Sequence, residues 1–130
     1  CTRGVPFGRR LGVPVGCRLT RQAYVDTNYA TLTIGSAVTS IATMYNYAYN
    51  SMYQTNFVLE DSIDWGASGA FYCQSFCLVW LQGATFSQAA VPPVGRRYNA
   101  SVNSVINTGA AETFIPGATA GWLSTGGQYV

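Results

Sequence analysis

Lysine and histidine are absent from this chain, and only 9% of its residues are charged. An ordinary soluble domain carries about 25%. Without an imidazole, Ser–His and Cys–His nucleophile pairs are excluded, and so is histidine ligation of a metal. Without a lysine amine, Schiff-base chemistry is excluded as well. No phosphate-binding glycine loop, dinucleotide fingerprint or nucleophile elbow is present. No apolar run approaches the ~20 residues a membrane-spanning helix needs. The longest such run, around Phe71–Leu81, is interrupted by Gln74 and Ser75. A membrane span is therefore not expected. No targeting segment is recognisable, and Cys1 in first place, without a Met, reads as a processed product or a fragment. Hydrophobic residues make up 48% of the chain, which excludes disorder driven by low hydrophobicity.

What is present is 130 residues, enough for one domain, with 14 glycines and 9 tyrosines. Residues Gly4–Leu11 read GVPFGRRL and residues Gly12–Leu19 read GVPVGCRL, an octapeptide repeated back to back. A partial third copy, VPPVGRR, spans Val91–Arg97. Proline fixes its own φ and pushes the residue before it towards extended geometry. The copies should therefore form an extended arm. Arg3, Arg9, Arg10, Arg18 and Arg21 all lie in it with no acid, whereas the rest sets Arg96 and Arg97 against five acids. The arm is thus +5 and the body −3. Its guanidinium groups suit either the phosphates of a packaged nucleic acid or the acidic body of a neighbouring copy. The expected organisation is an extended basic arm over 1–21 and a single packed body over 22–130.

The long stretch between Gly35 and Gly66 contains neither Gly nor Pro. Val38, Ile41, Tyr45, Ala48 and Met52 recur at helical spacing, with Ser36 placed to cap, and the length favours a helix over 36–54. Tyr45, Tyr47 and Tyr49 also alternate as on a strand, which would turn at Asn50–Ser51. Cys73, Phe76, Cys77 and Trp80 share a helical face, as do Val102, Val105 and Ile106. The fold class expected is a small helix-leaning α+β domain with a Pro/Gly/Arg-rich arm; the alternative is mainly β. The Gly-rich stretch 118–130 reads as irregular or as a short edge strand.

Four cysteines permit two bridges, free thiols or a metal site. Cys73 and Cys77, at i and i+4, are badly placed to bond each other. Bridges from them to Cys1 and Cys17 are the preferred reading, buried free thiols the alternative, and the spacing is poor for zinc. Glu60 and Asp64 would share a helical face, with Asp61 between them, but no third polar group converges on the pair in sequence, so acid–base catalysis is not expected. Asn99 heads a glycosylation sequon, Asn-Ala-Ser. Tyr45, Tyr47, Tyr49 and Tyr53 form a dense aromatic run, and tyrosine is enriched at interfaces. Together these features point to a non-enzymatic, self-assembling structural subunit with no cofactor and no metal, whose partner is a copy of itself. An extracellular, pilus-like filament is the first expectation. A viral coat protein holding nucleic acid with its arm, located in the virion, is the second, and a secreted disulfide-stapled glycan-binding or glycan-active module the third.

Overall fold

The computed structural model describes residues 17–20, 24–87 and 90–130. These residues form thirteen strands of two to four residues and one 3-10 turn. Every strand pair is parallel. The first sheet stacks β1 (Cys17–Thr20), β4 (Ala42–Tyr45), β7 (Phe71–Gln74), β10 (Tyr98–Ser101) and β12 (Trp122–Ser124) in that order. The second stacks β2 (Tyr24–Asp26), β5 (Tyr49–Ser51), β8 (Leu78–Trp80), β11 (Val105–Asn107) and β13 (Gln128–Tyr129). The third stacks β3 (Thr31–Ile34), β6 (Asn56–Leu59) and β9 (Thr85–Ser87). The chain therefore winds through the three sheets in turn for three circuits and then returns to the first and second sheets alone. In the first sheet each circuit advances the register by one coil, from Cys17 to Ala42, then to Phe71 and then to Tyr98, and Asn99 beside it pairs onward with Trp122. This is a parallel β-solenoid.

Two-residue corners make the winding possible. Between the first and second sheets the chain turns at Asn46–Tyr47, Ser75–Phe76, Val102–Asn103 and Thr125–Gly126. All eight residues lie in the left-handed region, at φ between 48° and 76°. The corners stack on one another, and backbone bonds continue the ladder through them: Tyr47 N–H donates to the Ser75 carbonyl at 2.9 Å, and Phe76 N–H to that of Val102 at 2.9 Å. No backbone group needs to be orphaned at the bend.

The core fills the lumen in columns, one residue per coil. Ala42, Phe71 and Tyr98 make one; Met44, Cys73 and Ala100 a second; Phe57 and Phe86 a third. Phe57 stacks on Phe86 at 4.9 Å between centroids, and Phe114 of the 3-10 turn Glu112–Phe114 meets Phe86 edge-on at 5.3 Å. Trp65, in the loop from β6 to β7, is fully buried and donates its indole N–H to the Pro116 carbonyl at 2.8 Å.

The helix-leaning expectation is overturned; the mainly-β alternative holds, in parallel form. The expected helix over 36–54 is β4, a corner and β5, and the turn falls at Asn46–Tyr47 rather than Asn50–Ser51. The physical reason lies in the corner. Inward residues alternate along each strand, but two left-handed residues intervene between strands. Met44 to Ala48 to Met52, and Cys73 to Cys77 to Leu81, are thereby spaced by four, which imitates a helix face. The two segments read as helical around Cys73–Trp80 and Val102–Ile106 are likewise strands and corners: β7, Ser75–Phe76 and β8 in the first, and Val102–Asn103 leading into β11 in the second. Within 118–130, β12 and β13 are the edge strands that the sequence allowed. Of the expected arm over 1–21, residues 1–16 and 21 lie outside the described residues, whereas Cys17–Thr20 form β1, which pairs in register with β4 and belongs to the first sheet.

Candidate interaction surface

Every one of the nine tyrosines meets an aromatic ring of another coil. Tyr24 stacks on Tyr49, Tyr98 on Tyr129, and Tyr47 on Phe76, with centroids 5.2, 4.5 and 5.2 Å apart. Tyr29 meets Tyr53 edge-on at 5.7 Å, and Tyr45 tilts against Tyr72 at 5.6 Å. Strands in a sheet repeat at about 4.8 Å, close to the distance at which offset rings stack, so a parallel solenoid brings equivalent positions such as Tyr24 and Tyr49 into ring contact. Tyr45 instead meets Tyr72 on the diagonal, and Tyr98 of the first sheet meets Tyr129 of the second. The tyrosines are rungs between coils, which accounts for their number in so small a chain.

With the coils numbered in chain order (one, β1–β3; two, β4–β6; three, β7–β9; four, β10 and β11; five, β12 and β13), Tyr45, Tyr47, Tyr49 and Tyr53, read as one interface, are distributed around coil two. Tyr45 faces out from the first sheet, Tyr47 stands on the corner, Tyr49 lies on the second sheet, and Tyr53 sits at the next corner. Among them Tyr47 is set apart. It is 61% exposed and its partner Phe76 48% exposed, and both have left-handed backbones, at φ 62° and 59°. That conformation costs a non-glycine residue roughly 1–2 kcal/mol. The two rings lie 3° from parallel and form an apolar ridge on the edge of the solenoid. The sequence run flagged Tyr47 but missed Phe76. Setting 42–60 over 71–89 without a gap would have aligned the two, although only Phe57 and Phe86 are identical between those segments.

Other expected sites fall as follows. Arg3, Arg9, Arg10 and Arg21 lie outside the described residues, as does Cys1; Arg18 stands opposite Thr43 in register. Cys73 and Cys77 are free, buried thiols on two core columns. Cys17 lies on β1, which is separated from β7 by the whole of β4. Two strand spacings of about 4.8 Å exceed the ~7 Å a bridge can span between Cα atoms, so Cys17 cannot reach Cys73. Burial, and secondarily the charge of Cys77, pushes the Cys73 thiol well above its ordinary pKa; burial also raises Cys77. Asn99 is on β10, 6% exposed, flanked in register by Tyr72 and Trp122. A glycan there would require those neighbours to part.

Two acids of the cluster accept from backbone N–H groups, one in a distant segment and one in a local turn. The Asp61 carboxylate accepts from Val91 N–H at 3.0 Å and that of Asp64 from Gly66 N–H at 2.8 Å, while Glu60 is exposed. Glu112 takes both the Arg97 guanidinium, at 3.4 Å, and Gly121 N–H, at 2.7 Å, and thereby ties coil four to the start of β12. Among the described residues no His/Cys/Asp/Glu group is arranged to hold a metal ion, and no helix is long and apolar enough to cross a membrane. No family model, curated protein or solved structure matches this chain.

Proposed function

We propose that this chain is a non-enzymatic structural subunit that assembles with copies of itself, as in an extracellular filament, and that the Tyr47–Phe76 ridge is where copies meet. The observation that carries this reading is the double expense at that ridge. Two bulky side chains occupy backbone conformations that disfavour them, and the rings then face water. The left-handed backbone serves the corner and the stack offsets part of its cost, but the fold does not need exposed rings there, since Asn103 and Gly126 hold the same corner on later circuits. Strained, exposed groups of this kind cluster where a partner makes use of them.

A sister copy is the occupant that fits best. The two rings of the ridge are set one circuit apart, and a second copy offers a pair of rings at the same spacing and of the same chemistry. The ridge itself carries no charge, so two copies meet without burying an ion, and rings at the centre of such contacts carry most of their energy. The test is sedimentation velocity with negative-stain imaging across a concentration series. The wild type should form elongated oligomers, whereas Tyr47→Asn with Phe76→Asn should remain monomeric with an unchanged far-UV spectrum. A wild type that stays monomeric at high concentration overturns the reading.

A further inference from the structure

The Tyr24–Tyr49 rung has a chemistry that the other rungs lack. The rings are stacked, 14° from parallel with centroids 5.2 Å apart, so the two ring faces adjoin. Tyr24 is 63% exposed and open to an oxidant from solution. Its hydroxyl donates to the Asp26 carboxylate at 3.3 Å, so a proton acceptor already stands at the phenol oxygen. The remaining pairs each miss one of these conditions. Tyr29 and Tyr53 are perpendicular, Tyr45 and Tyr72 are tilted by 49°, and Tyr98 is buried. Tyr47 faces a phenylalanine.

We infer that Tyr24 and Tyr49 form a site of oxidative tyrosine coupling, in which a carbon–carbon bond between the two rings staples coil one to coil two. The oxidant class is hydrogen peroxide acting through a haem peroxidase. Each phenol gives up one electron and its hydroxyl proton, the Tyr24 proton passing to Asp26 and on to water. The two phenoxyl radicals join at carbons ortho to oxygen, and the ring hydrogens at those carbons move to the oxygens, restoring two phenols. Two electrons and two protons leave the protein and reduce one peroxide to two waters. The bond would close the loop from Tyr24 to Tyr49, which are register partners on adjacent coils. Coil one has use for a staple: among the described residues its strands have neighbours on one side only, as β12 and β13 do at the other end. Cys73 and Cys77 supply no bridge.

The experiment treats the full chain with a haem peroxidase and limiting peroxide, then reads dityrosine fluorescence, intact mass and fragment spectra. The expected product is a monomer lighter by two hydrogens, with Tyr24 joined to Tyr49. Tyr24→Phe and Tyr49→Phe, which keep the ring stack, should each lose the product, while Tyr29→Phe retains it and Asp26→Asn forms it more slowly. Tyr47→Asn should couple as the wild type does, because both rings belong to one chain; this separates the inference from the proposed assembly. Wild-type yield in Tyr24→Phe, a bond found only between copies, or no product from the folded wild type would overturn it.

Discussion

The ring of Tyr47 lies flat on that of Phe76, 3° from parallel, although the two belong to successive coils. Their stacking and their backbone strain act in opposite directions. An aromatic pair contributes about 0.5–1.5 kcal/mol beyond area burial, and relief of a left-handed backbone by Asn returns a similar amount. Tyr47→Asn should therefore shift the free energy of unfolding by less than about 1 kcal/mol. Urea denaturation checks this, and a large loss would mean that the ridge serves the fold rather than a partner.

Asn50 is wholly buried on β5 in the column it shares with Val79 and Ile106, and neither atom of its amide has a hydrogen-bond partner. A buried unsatisfied polar group costs about 1–3 kcal/mol. Asn50→Val, β-branched like its column neighbour Val79, should raise the urea midpoint, whereas Val79→Asn should lower it. A destabilised Asn50→Val would show that the amide is satisfied in solution.

Tyr98 gives the fold an alkaline limit. Desolvation, with the charge of Glu112 adding to it, pushes this phenol up to about 12, and Tyr129 moves in the same direction. A pKa raised on folding contributes stability that is complete below the ordinary phenol value of about 10 and is lost as pH climbs through the folded value. Unfolding should therefore set in between about 10 and 12 and be accompanied by phenolate absorbance. Tyr98→Phe should move that onset upwards.

The thiols of Cys73 and Cys77 should resist alkylation in the native state at mildly alkaline pH, because burial disfavours the reactive thiolate. Both should label rapidly once denaturant is added, as mass mapping of the two positions would record. Rapid native labelling of Cys73 would mean that coil three opens readily.

Gly127 has no room for a side chain: a Cβ there would run into the Ala100 carbonyl, which is backbone and cannot rotate aside. Gly127→Ala should therefore loosen coil five, at roughly 1–3 kcal/mol for forced overpacking. Limited proteolysis should then cut within 121–130 while residues 42–87 stay protected.

The sequence carried the composition of this fold more clearly than its geometry. The aromatic run at Tyr45–Tyr53 and the edge character of 118–130 were readable, and so was the poor placement of Cys73 and Cys77 for bonding each other. The solenoid was not, for a physical reason. Its repeat keeps which positions face inward and not which residues fill them, so Met44 stands on Cys73 and Ala48 is replaced by Cys77 one coil on. Its corners use Asn46–Tyr47 and Ser75–Phe76 where a turn ordinarily announces itself with glycine. With the corners hidden, spacing by four read as helix. The Glu112 carboxylate was equally hidden, since its partners Arg97 and Gly121 converge only after a full coil.

Hydroxyl-radical footprinting across a dilution series measures the central claim most directly, because it reports the exposure of each ring in solution. At high concentration Tyr47 and Phe76 should be protected together, and on dilution both should become reactive, while Tyr29, away from the ridge, reacts alike throughout. Unchanging reactivity of Tyr47 and Phe76 at every concentration would contradict the account.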